Sequence, residues 1–125
     1  MRVVRIYADG SGASHVEDMQ IALAPDNLGR ISGSLAPGEG AFIRELRAGL
    51  VVDFHRAPRR QLVVVVDGTV EVEATDGARM AVGRGEAIFV EDTTGRGHIT
   101  RVGDRPATCL YIPVAAQFDI RTVCG

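Results

Sequence analysis

The chain has 125 residues, 46% hydrophobic and 24% charged, enough for one globular core and unlike a disordered or fibrous chain. Its 14 basic residues are all arginine, and 16 acidic residues leave a net charge of −2 without a long block of either sign. Nucleic-acid binding, which draws on clustered cations, is therefore not expected. No apolar run approaches the ~20 residues of a spanning helix, and MRVVRIYADG lacks the apolar core of a secretory signal. The two cysteines, Cys109 and Cys124, have neither metal-type spacing nor disulfide density. A cytoplasmic protein with no membrane partner is expected.

In chain order, Arg2 to Ala8 is rich in branched residues and reads as a strand. Asp9 to Ser14 is turn chemistry, His15 to Leu23 alternates loosely, and Pro25 to Gly40 is a Gly-, Pro- and Ser-rich connection. A connection that long is expected to wrap the surface or to cover a site. From Ala41 the apolar period is two: Phe42 to Leu46, Leu50 to His55, Gln61 to Val66, Thr69 to Thr75, Ala87 to Glu91, His98 to Val102 and Ala107 to Val114 are the expected strands. Asp67-Gly68 and Asp76-Gly77 carry the two-residue hairpin signal. In Thr69 to Thr75, Val70, Val72 and Ala74 share one face while Glu71 and Glu73 share the other. No segment sustains a helical period. An all-β sandwich or barrel is expected, with residues 1–40 as N-terminal strands and a connecting arm of the same domain and 41–125 as the barrel core.

The stretch between Gly49 and His98 resembles the two motifs of the cupin superfamily. Gly49, five residues, His55, one residue, Ala57, three residues, Gln61, six residues and Gly68 keep every spacing of the first motif. Ala57 stands where that motif has its second His, and Gln61 where it has Glu. In the second, Gly85, Glu91, Gly95 and His98 are similar with two extra residues before Gly95; Glu91 replaces a Pro and Val102 an Asn. The resemblance implies a jelly-roll barrel of the double-stranded β-helix type, in which positions 55, 57, 61 and 98 converge. It also implies a divalent first-row metal (Fe, Ni, Zn or Mn) on His55, Gln61 and His98. Two imidazoles and a neutral amide make a poor divalent site, so the residues leave both a bound metal and a metal-free protein open. Asp53, read on the His55 face, and Glu91 are the carboxylates that would restore a charge.

His55 and His98 are the candidate catalytic residues, as general base and acid. Gln61, Arg59, Glu91 and Thr93 are the candidate substrate contacts: Arg59 by parity with His55, Glu91 and Thr93 from the polar loop before His98. No nucleophile elbow, P-loop or dinucleotide fingerprint is present. The expected function is action on, or binding of, a small organic molecule inside the barrel, by an isomerase-, cyclase- or lyase-like enzyme. A non-catalytic binding or sensory cupin and a metal-dependent oxygenase are the alternatives. A homodimer is expected, because the β-rich terminal strand Arg2–Ala8 needs a sheet edge to pair with.

Overall fold

The computed structural model describes residues 1–38 and 40–125. Its strands are β1 (Arg2–Ala8), β2 (Ser14–Gln20), β3 (Ala24–Asp26), β4 (Gly29–Ile31), β5 (Phe42–Leu46) and β6 (Val51–His55). They continue with β7 (Gln61–Asp67), β8 (Thr69–Glu73), β9 (Arg79–Gly83), β10 (Ala87–Val90), β11 (His98–Val102) and β12 (Ala107–Pro113), before a single 3-10 turn at Ile120–Thr122. A six-stranded sheet in the order β2-β1-β10-β7-β12-β5 faces a four-stranded sheet in the order β6-β11-β8-β9; β3 and β4 pair with each other.

The chain is all-β, as its period-two patterning predicts. Where that patterning lapses there is a reason. β7 and β10, QLVVVVD and AIFV, are nearly continuous apolar runs because the six-stranded sheet is covered on both faces there. Val4, Ile6, Val63, Val65, Ile88 and Val90 point inward to meet Val70, Val72, Val82 and Val102 of the smaller sheet. Val3, Leu62, Ala87 and Phe89 point outward beneath Phe118, Ile120 and Val123 of the C-terminal segment.

Three expectations need correction. Asp67-Gly68 is not a hairpin turn: β7 pairs with β10 and β12, β8 with β9 and β11, so the chain turns a corner between sheets. Gly68 has φ +81°, and a Cβ there would lie 2.7 Å from the Pro106 carbonyl oxygen, so the corner needs glycine. Asp76-Gly77 does join a hairpin, β8–β9. Secondly, the connection is not wholly irregular: β3 and β4 pair antiparallel within it. Leu35 and Ala36 pack against the outer apolar cluster, and Pro37 bridges to Val114. Thirdly, β1 is internal, antiparallel to β2 and parallel to β10, so a free terminal strand no longer argues for a dimer.

Candidate functional site

Between the two sheets lies a cavity of about 300 Å³. That is near the lower end of the ~300–1,000 Å³ range of small-ligand sites. Leu46, Leu50, Val52, Val63, Val70, Val72, Ile88 and Val90 make its apolar wall. Arg44, His55, Gln61, His98, Thr100 and Tyr111 supply polar atoms, and Cys109 a thiol.

The two histidines meet because β6 and β11 pair antiparallel with His55 opposite His98. Gly97 makes this approach feasible. It has φ +78°, and a Cβ on it would lie 1.9 Å from the His55 carbonyl oxygen, an overlap only backbone movement relieves. The imidazole centroids are 4.5 Å apart and tilted by 52°. Each ring commits one nitrogen to the protein. His55 Nδ1 donates to the Asp53 carbonyl at 2.9 Å, and because a carbonyl only accepts, the neutral ring keeps its lone pair on Nε2. His98 Nδ1 donates to Asp92 Oδ2 at 2.5 Å, leaving its Nε2 likewise free.

Asp92 was not singled out in the sequence. It is fully buried, His98 is 4% exposed, and among the described residues the second carboxylate oxygen of Asp92 has no donor. The loop from Glu91 to Gly97 folds back so that residues six apart touch. Ala57 N–H donates to the Asp92 carbonyl, Arg96 N–H to the Gly12 carbonyl, and the Ser14 hydroxyl to the Gly97 carbonyl at 2.7 Å. A buried carboxylate with one partner is costly, so it is poorly explained as a stabiliser and well explained as a group that orients an imidazole.

Gln61 opens β7, is 4% exposed and lines the cavity, while its Oε1 is buried and, among the described residues, has no hydrogen-bond donor. The structure thus brings His55, Gln61 and His98 together. It does not bring Arg59, Glu91 or Thr93 to them. Arg59 and Thr93 are exposed and outside the cavity wall. Glu91 lies outside it too, paired with Arg5 and Arg60, while Arg60 also donates to the Ala116 and Phe118 carbonyls. Asp53 is exposed and off the His55 face. A bulge between His98 and Thr100 sets Val52 opposite Thr100 and His55 opposite His98, so residues three apart face inward where strict alternation had selected Asp53.

Arg44, Cys109 and Tyr111 were also missed. Burial pushes the Cys109 thiol up to about 11 and raises the Tyr111 phenol, so both enter the cavity neutral at ordinary pH.

A profile of the cupin domain matches residues 42–113, which span both histidines and the cavity wall. The chain belongs to the cupin family. Among solved structures this cupin is similar to DMSP lyase DddQ from Ruegeria pomeroyi, at 25% identity over 63% of this chain and 39% of that one, with a TM-score of 0.50. An RmlC-like cupin protein from Desulfovibrio desulfuricans is 20% identical over 75% of this chain and 92% of that one, at a TM-score of 0.42. A putative ethanolamine utilization protein Q from Salmonella typhimurium is 13% identical over 94% and 98%, at 0.41. The cupin thus spans well under half the length of the lyase it matches. No curated protein matches it.

Cupins often hold divalent metals, and the donors here fit one poorly. Among the described residues no three His, Cys, Asp or Glu side chains cluster as metal ligands. His55 and His98 offer two neutral nitrogens, and Gln61 Oε1 an uncharged oxygen. The carboxylate nearest His98, Asp92, is spent on its Nδ1, and Ala57 offers nothing. Among the described residues no anion lines the cavity to offset a dication. Among the described residues, no helix is long and apolar enough to cross a membrane.

Proposed function

We propose that this cupin binds a small organic molecule in the barrel cavity and moves a proton on it, as an isomerase-, cyclase- or lyase-like enzyme. The buried Asp92–His98 pair carries this reading, because it holds His98 with a basic Nε2 free beside the equally free Nε2 of His55. Asp92 steadies His98 as it gains a proton. The half-buried His55 ring relays or returns one, since it lines both the inner cavity and a more open outer cleft with Phe54, Arg56 and Arg96. The apolar wall excludes water from the reacting atoms. A lyase among the similar solved structures supports the same class of chemistry.

Incubation in deuterium oxide with a panel of small carbonyl compounds and carboxylic acids tests it. Deuterium incorporation or elimination at carbon is expected, falling ~10²–10⁴-fold in His98→Gln. Binding without exchange or elimination of any panel member would contradict it and favour a binding or sensory cupin. Any metal is expected well below one equivalent, on His55, His98 and Gln61, and easily stripped. Near one equivalent of tightly held iron, nickel, zinc or manganese in protein purified without tag nickel would revive the metal-dependent oxygenase reading. A homodimer stays part of the proposal, checked by light scattering against the 13.3 kDa chain.

A further inference from the structure

The β3–β4 hairpin projects from the barrel. Every residue of its two strands is exposed, and among the described residues neither strand makes more than passing contact with any other. An isolated two-stranded hairpin is marginal in water. Its turn is nonetheless well made: Asp26 Oδ1 accepts from the Leu28 N–H at 3.0 Å, Gly29 takes φ +143°, and Arg30 donates to the Leu23 carbonyl at 2.8 Å. That turn holds Leu28 near the tip, 93% exposed, with Ile31 behind it at 58%. Both roots of this arm lie on the outer face of the six-stranded sheet. Ala22 N–H donates to the Val123 carbonyl, and Leu35 packs against the outer cluster.

The β5 end of that same face is a bare apolar patch. Ile43 of β5 lies opposite Leu110 of β12, and Leu110 opposite Val64 of β7. Ile43 is 69% exposed and Val66, two residues along β7, 48%. The neighbouring row is Glu45, Thr108 and Asp67, so two acids edge the patch, while the arm carries Arg30 beside Ile31. Single exposed apolar side chains need no explanation; an arm and a patch that gather them on one face do.

We propose that the arm docks on this patch of a second copy, each copy giving one arm and receiving one. A twofold dimer joins a surface to its own copy, so the surface must complement itself; an apolar knob and an apolar patch on one face meet that condition. The arm from Ala22 to Ser34, with a similar number of residues around the patch, supplies the ~20–30 residues a side of a standard interface. Pro25 leaves β3 short of one N–H, which disfavours open-ended strand addition and favours a closed pair. The proposal rests on the homodimer reading and names its interface.

Sedimentation velocity and light scattering of the full chain across micromolar concentrations test it. Wild type is expected at twice the 13.3 kDa chain mass. The double variant Leu28→Ser with Ile31→Ser, and separately Ile43→Asp, should each weaken the dimer at least ~10-fold. Their circular dichroism should not change, because all three side chains are exposed in the single chain. Val51→Ser, equally exposed but on the four-stranded sheet, should leave the dimer intact. Mixing the arm variant with the patch variant then tests docking between copies. The mixed pair keeps one intact arm on one intact patch, so association should recover in part, whereas each variant alone has neither contact. A dimer indifferent to arm and patch, or no recovery on mixing, would overturn the interface alone. A wild-type monomer would defeat the interface and the homodimer reading together.

Discussion

The two faces of the six-stranded sheet solve opposite problems with similar residues. On the outer face Phe89 meets Phe118 edge to face at 5.7 Å, and Ile120, Leu62 and Val3 close around them. On the inner face valines dominate, too short to fill the space between the sheets, and a hollow with several polar groups is left. The outer face is filled for stability; the inner gives up dispersion contacts to keep a chamber. Stability should therefore answer mainly to the outer face and ligand binding to the inner one.

The largest expected effect is on the filled side. Phe89→Ala should cost about 3–5 kcal/mol in chemical denaturation, without altering which ligands bind at temperatures where the variant stays folded. A cost below about 1 kcal/mol would mean that the outer cluster is not the stabilising half.

The inner face contributes a pH dependence through Cys109. Burial raises its thiol to about 11 in the folded state against an ordinary 9.0. The associated stability is fully present below pH 9.0, and falls between there and about 11 as the unfolded chain alone loses the proton. The loss amounts to about 2–3 kcal/mol. Cys109→Ala should flatten that alkaline limb; an unchanged limb would assign it to another group.

Asp92→Asn sharpens the comparison from within the cavity. Stability should change by about 1–3 kcal/mol, because an amide replaces the acceptor of a buried bond. Isotope exchange should fall at least ~10²-fold as His98 loses its imposed tautomer. Retained exchange with a changed stability would make Asp92 merely structural.

The smallest stability effect is expected where the hollow is filled. Val72→Leu adds one methylene toward empty space and should shift stability by less than about 1 kcal/mol, yet weaken ligand binding measurably by calorimetry. A large loss of stability would show that the chamber is already packed.

Much of this architecture was legible in the residues. Period-two patterning located the strands from β5 onward, β9 apart, branched residues marked β1, β2 was read only as loose alternation, and motif spacing brought His55, Gln61 and His98 together. Asp67-Gly68 misled because positive φ serves a corner between sheets as well as a hairpin. Asp53 misled because a bulge between His98 and Thr100 breaks the alternation that selected it. Asp92 was legible only as part of the polar loop before His98: its contact with His98 depends on how a seven-residue loop closes over Gly12 and Ser14, which no strand period encodes. Arg44 was within reach. It shares parity with Leu46 of the cavity wall, although it is itself exposed.

The central claim is that His55 and His98 both present a basic Nε2 to the cavity. Long-range proton–nitrogen NMR of the two imidazoles at mildly alkaline pH tests it most directly. The geometry predicts Nδ1–H with unprotonated Nε2 in both rings, and for His98 a switch or mixture of tautomers in Asp92→Asn. A proton on Nε2 of either ring in the wild-type protein would contradict it.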